Sequence, residues 1–105
     1  MSELTRKEEQ ILLAVHFLQS DAYLITIRDR IKEITGKEFA FGTIYAPLNR
    51  LHINGYLDSN LKETKESNKP VRYYRVTKQG YDALAEIKKL TEEMWQDFAT
   101  PVLEA

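Results

Sequence analysis

The chain has 105 residues, a formal net charge of −1 and no cysteine. This length suits one domain with a modest core, and the missing cysteine excludes disulfides, thiolate catalysis and cysteine metal sites. Hydrophobic residues at 43% and charged residues at 30% are ordinary for globular proteins, which argues against disorder. The N-terminal segment is acidic and its longest apolar run covers only 11–15, so we expect a cytoplasmic protein without membrane association.

The charge is unevenly distributed along the chain. Residues 1–27 hold 2 Lys/Arg against 4 Asp/Glu, residues 28–78 hold 11 against 6, and residues 79–105 hold 2 against 6. A basic middle between acidic ends is typical of a surface that binds nucleic-acid phosphates. The alternative is that the charges are simply scattered over a solvated surface.

The first predicted helix covers about 6–19 and opens with a capping box, in which Thr5 and Glu8 satisfy each other's backbone amides. The helix is apolar nearly all round, whereas a surface helix would show one stripe. We therefore expect it to be covered both by its own domain and by a second subunit, with Leu12 and Val15 at the subunit contact.

Two further helices are predicted at about 23–35 and 42–54. Each is followed by a glycine, Gly36 and Gly55, where a helix C-terminus favours a residue with positive φ. Pro47 falls inside the third helix, where its missing N–H should bend the first turns.

Two extended segments follow, at 56–63 and 71–76. The turn-rich stretch 64–70 between them predicts a β-hairpin. Thr77 is a good N-cap for a last helix that runs to about Ala99, where Thr100-Pro101 ends it.

The last helix, about 22 residues long, would span roughly 33 Å. Its apolar stripe is too long for a domain of this size to cover alone, which indicates an interface. The stripe consists of Tyr81, Leu84, Ile87, Leu90, Met94, Trp95 and Phe98. We predict a homodimer built from both chain ends.

The order helix–helix–helix–hairpin–helix predicts a winged helix-turn-helix, mainly α with a small β-hairpin (α+β). Residues 1–80 would form the DNA-binding domain and residues 77–105 the dimerisation helix, as one compact unit. The second helix of such a pair enters the major groove of DNA and reaches the base edges.

The candidate recognition helix has a core face and an outward face. With Ile44, Leu48 and Leu51 in the core, the residues predicted to face DNA are Gly42, Thr43, Ala46, Asn49 and Arg50. Asn49 suits adenine, Arg50 suits guanine or phosphate, and Gly42 permits close backbone approach. The alternative for each polar side chain is a solvated surface position.

The hairpin tip carries three cations, Lys65, Lys69 and Arg72. Phosphate contact is predicted for Lys69 and Arg72, along a backbone or in the minor groove. Glu63 and Glu66 dilute this charge, and a solvated loop is the alternative.

Several segments together resemble the PadR family of bacterial transcriptional regulators. The match covers residues 10–80 and is carried by Ala22-Tyr23, Thr35-Gly36, Phe41-Gly42-Thr43-Ile44-Tyr45, Leu48-Asn49-Arg50-Leu51, Asn54-Gly55-Tyr56-Leu57 and Arg72-Tyr73-Tyr74-Arg75-Val76-Thr77-Lys78-Gln79-Gly80. The resemblance implies a winged-helix dimer, usually a repressor, that dimerises through its C-terminal helices. It also implies that Thr43 and Tyr45 lie against the DNA backbone.

The chain departs from the family pattern at the start of the recognition helix. Many members carry Ser-Pro where this chain has Ala40-Phe41, and the usual proline after the tyrosine is displaced by one residue to Pro47. The single C-terminal helix resembles that of the shorter members.

Other functions find less support in the residues. His16 and His52 have no carboxylate at ligand spacing, so no metal site is predicted, and no catalytic or cofactor motif is present. Met94, Trp95 and Phe98 are either core of the dimer or an effector pocket, since some short members of the family resembled here hold planar ligands between tryptophans. The expected partner is pseudo-palindromic double-stranded DNA; the alternative is a winged-helix module that binds protein.

Overall fold

The computed structural model describes residues 4–64 and 67–99. Its elements are α1 (Arg6–Leu18), a 3-10 turn (Gln19–Asp21), α2 (Leu24–Thr35), α3 (Phe41–Ile53), β1 (Leu57–Thr64), β2 (Ser67–Val76) and α4 (Lys78–Trp95). This order confirms the predicted winged-helix α+β architecture. The predictions for Lys65 and for Thr100-Pro101 lie outside the described residues.

The helix ends follow the local signals. The Thr5 hydroxyl accepts from the Glu8 amide at 3.1 Å, and Glu8 Oε1 accepts from the Thr5 amide at 2.8 Å, so the predicted capping box is confirmed. Thr77 accepts from the Gly80 amide at 3.0 Å and caps α4. Gly36 ends α2 with a φ of 75°, a left-handed conformation that glycine adopts at little cost.

Helix α3 begins without a side-chain cap. Ala40 occupies the N-cap position and offers no hydrogen-bonding side chain, in line with the departure noted in the sequence. The helix continues through Pro47, which lies on its buried face, and ends at Ile53. Gly55 follows with a φ of 85°, as its position predicted.

The core forms around α1, which contacts α2, α3, α4 and β2. Leu12 and Val15, predicted at a subunit contact, are 0% and 1% exposed in the single chain. That prediction was wrong, because the chain's own helices and hairpin pack around α1 and bury both side chains in the core of the single chain. The large apolar side chains that α1 exposes are Leu13 and Phe17.

The hairpin is longer than the sequence suggested. Antiparallel pairing runs from Leu57↔Val76 out to Thr64↔Ser67, with an irregularity after Lys62. Polar residues assigned to a turn thus belong to the strands, because backbone pairing does not require apolar side chains.

The two adjacent tyrosines of β2 differ in environment. Tyr74 is buried, and its amide donates to the Ala22 carbonyl at 2.8 Å. Tyr73 is half-buried and packs on Tyr23, with ring centroids 5.1 Å apart. Adjacent residues of a strand point to opposite faces, so only Tyr74 reaches the core.

Helix α4 has 18 residues and ends at Trp95, four residues before the predicted end. Within residues 4–64 and 67–99, no helix has the length and apolar character needed to cross a bilayer.

Candidate nucleic-acid interface

The outward face of α3 carries Gly42, Ala46, Asn49 and Ile53. Their spacing of four, three and four residues places them on one side of a helix. Asn49 is half-buried and the other three are exposed. The opposite side is packed as predicted, since Ile44, Leu48 and Leu51 are fully buried.

Ile53 was not singled out in the sequence, yet it is 72% exposed at the end of this face. Ile53 follows Gly42 by 11 residues, about three helical turns, and this spacing could have placed it on the outward face of α3.

Two flanks border the outward face. Arg50 lies on the side towards α1, and its Nε is 3.6 Å from Glu8 Oε2. Tyr45, half exposed, lies on the side towards the hairpin. Burial raises the pKa of the Tyr74 hydroxyl, and nearby Tyr45 contributes in the same direction, while Arg72 opposes it.

The hairpin is tied to the end of α3 through polar contacts. Arg72 Nη1 donates to Ser59 Oγ at 2.7 Å, and Ser59 Oγ lies 3.0 Å from His52 Nε2. His52 is therefore half-buried against the hairpin rather than solvated. Lys69 is exposed farther out on β2. The structure thus brings Arg72 to the same side of the molecule as α3.

Two further cations, Lys7 and Lys37, lie near the start of α3. Lys7 Nζ is 3.4 Å from the centroid of the Phe39 ring, in the loop between α2 and α3. Burial lowers the pKa of the Lys7 ammonium, and the positive charge of Lys37 adds to the effect. The spacing of residues in the sequence does not predict the contact of Lys7 with Phe39, because it joins the first helix of the chain to a distant loop.

The apolar stripe of α4 is exposed along most of its length. Leu84 and Ile87 are half-buried, whereas Tyr81, Leu90, Met94, Trp95 and Phe98 are exposed. A groove of about 500 Å³ runs between α4 and α1, with Leu13, Tyr81 and Leu84 in its lining.

Aromatic contacts lie at both ends of the stripe. At its start, Tyr81 Oη is 2.9 Å from His16 Nδ1. At its end, Trp95 and Phe98 meet edge to face with centroids 4.9 Å apart, while Met94 is 82% exposed. In the part of the chain that the structure describes, no three His, Asp or Glu side chains come close enough to hold a metal ion.

Comparison with known proteins identifies one family. The model of the transcriptional regulator PadR-like family matches residues 12–86. A search of curated proteins found no match.

Solved structures with the same fold include the following three. A PadR-like transcription factor from Bacteroides fragilis is 29% identical, with a TM-score of 0.75 over 87% of each chain. A PadR family regulator from Clostridium difficile is 23% identical, with a TM-score of 0.71 over 88% of this chain and 92% of that one. RosR from H. salinarum is 23% identical, with a TM-score of 0.71 over 92% of this chain and 82% of that one. The last two show likeness of fold alone.

Proposed function

The chain belongs to the PadR-like family of transcriptional regulators, and we propose that it represses transcription as a homodimer bound to a pseudo-palindromic DNA operator. That it is a DNA-binding regulator follows from the family. The observation that carries the finer proposal is the outward strip of α3, bordered by Arg50 on one side and by Tyr45 and the hairpin on the other.

We propose that α3 lies in the major groove. Asn49 would then read adenine through its amide, and Arg50 would reach guanine or a phosphate. Gly42 would let the backbone approach the sugar-phosphate chain, with Ala46 in close contact. Thr43 and Tyr45, both exposed, would contact phosphates beside the groove.

The hairpin would act as a wing. Arg72 and Lys69 are both exposed and would neutralise phosphates next to the groove that α3 occupies. The hydrogen bond from Arg72 to Ser59 supports this role, because it fixes the side chain towards the α3 side of the hairpin.

Dimerisation would use the exposed stripe of α4 together with Leu13 and Phe17 of α1. An apolar surface of this extent is unusual on a monomer. A two-fold dimer presents two copies of α3, so the operator should hold two half-sites about one helical turn apart.

Trp95, Met94 and Phe98 would line an effector site where two α4 helices meet. The support is that all three side chains are exposed in the single chain, with Trp95 at 60%. Planar aromatic cations suit such a site, because an indole face attracts positive charge. Trp95 fluorescence reports binding, and an unchanged spectrum at saturating ligand removes this part of the proposal.

The test is selection of duplexes from a randomised pool by the full chain, followed by a mobility-shift assay at physiological salt. A two-fold symmetric consensus, bound tighter than random duplex, is the expected result. Arg50→Ala and Asn49→Ala should reduce this preference, whereas Lys89→Ala on exposed α4 should leave it unchanged. If no consensus emerges and a protein partner co-purifies instead, the chain is a winged-helix protein-binding module.

A further inference from the structure

We propose that Glu8 is a positioning residue for DNA recognition, which holds Arg50 in the orientation that reads the operator and weakens its attraction to DNA in general. The inference rests on the proposed function, since it assigns a role at the same interface. It concerns a carboxylate that lies on α1, outside the helix-turn-helix pair.

Glu8 has two separate contacts. Its Oε1 accepts the Thr5 amide at 2.8 Å and closes the capping box of α1. Its Oε2 lies 3.6 Å from Arg50 Nε, an ion pair at a distance too long for a direct hydrogen bond. One carboxylate therefore joins the first turn of α1 to the recognition helix.

The two partners differ in exposure. The Glu8 side chain is 9% exposed and that of Arg50 is 54% exposed. The carboxylate is fixed by burial and by the Thr5 amide, while the guanidinium reaches the surface beside α3. Among residues 4–64 and 67–99, the Nη groups of Arg50 form no hydrogen bond or ion pair, so both remain available to DNA.

This arrangement affects specific and general binding in opposite directions. A guanidinium attracted to a carboxylate on its Nε side keeps its two Nη groups facing away from that carboxylate, in the fork that reads guanine or a phosphate. The nearby negative charge also offsets part of the attraction that Arg50 exerts on any phosphate. Both effects raise the preference for the operator over random DNA.

Substitution of Glu8 by a neutral residue separates its proposed effect on Arg50 from its role in the capping box of α1. Glu8→Gln retains the capping box, because glutamine at this position also accepts the N-cap amide. We expect the ratio of affinity for the selected duplex to affinity for random duplex to fall at least about fivefold, the lower range for one oriented side chain. We also expect the slope of log K against log salt, measured for random duplex, to become steeper by up to about 0.9. Glu86→Gln, the same change at an exposed position of α4, is the control and should alter neither quantity.

The decisive comparison repeats Glu8→Gln in the Arg50→Ala background. If Glu8 acts through Arg50, Glu8→Gln should change the selectivity of the Arg50→Ala variant by less than about twofold. Equal losses in both backgrounds, or no loss with Arg50 present, overturn the inference while leaving the proposed function intact. A wild-type chain that selects no consensus overturns both.

A measurement on the wild-type protein remains decisive if Glu8→Gln does not fold. Nitrogen relaxation should show slower and more restricted motion of the Arg50 Nε–H than of the Arg6 Nε–H. Arg6 is exposed on α1, and within the described residues it has no ion pair. Equal mobility of the two groups overturns the inference.

Discussion

Gly80, in the first turn of α4, lies so close to Tyr56 that a Cβ at this position would clash with the Tyr56 carbonyl oxygen. The same turn is hydrogen-bonded to the segment after α3: the Thr77 hydroxyl donates to the Gly55 carbonyl at 2.7 Å, and the Thr77 amide to the Tyr56 carbonyl at 3.1 Å. The helix proposed for dimerisation is therefore fixed directly to the segment that follows α3.

Gly80→Ala should destabilise the fold. The new methyl group would meet the Tyr56 carbonyl and, at 2.7 Å, Val76 Cγ1, and backbone atoms cannot rotate away as a side-chain end can. We expect a loss of about 2 kcal/mol or more in the free energy of unfolding, measured by urea denaturation. A variant as stable as the wild type would contradict the close packing of α4 on the α3–β1 turn.

Gly42→Ala is expected to weaken DNA binding without harm to the fold. A Cβ at Gly42 meets no atom within 4 Å, and alanine favours helix over glycine by about 1 kcal/mol or less. The thermal midpoint should stay equal or rise slightly. If α3 approaches DNA as proposed, affinity for the selected duplex should fall severalfold because the methyl group occupies the space of the approaching backbone. Unchanged affinity would show that this end of α3 stays clear of the DNA.

Leu90→Glu should convert the proposed dimer to a monomer. Leu90 is 53% exposed in the middle of the α4 stripe, where a carboxylate would be buried unpaired if two chains associate there. Sedimentation at equilibrium measures the change in mass. Lys89→Glu is the control, since this neighbouring position points away from the stripe. Equal effects of the two substitutions would place the interface elsewhere.

Arg72→Ala should weaken binding to all duplexes alike and reduce the slope of log K against log salt by about 1, as expected for loss of one phosphate contact. The control is Arg75→Ala on the same strand. Arg75 lies on the other face of β2, paired with Asp58 at 3.4 Å, so its loss should leave the slope nearly unchanged. A slope that changes more with Arg75 than with Arg72 would reverse the proposed orientation of the wing.

The order of elements and most helix ends were predictable because their signals are local. The Thr5–Glu8 capping box, the Thr77 cap and the left-handed Gly36 each depend on residues within a few positions of one another. The outward positions of α3 followed from helical periodicity in the same way. The hairpin ends were less predictable, since strand pairing depends on the partner strand.

The sequence by itself determined a winged-helix regulator, with a candidate recognition helix in a basic middle and an apolar C-terminal helix. Only the tertiary structure decided that Leu12 and Val15 belong to the protomer core, because the chain's own elements surround α1. The same holds for the contact of Glu8 with Arg50, residues 42 positions apart. Periodicity shows which side of a helix faces inwards, whereas the identity of the neighbour across the interior depends on how the helices pack.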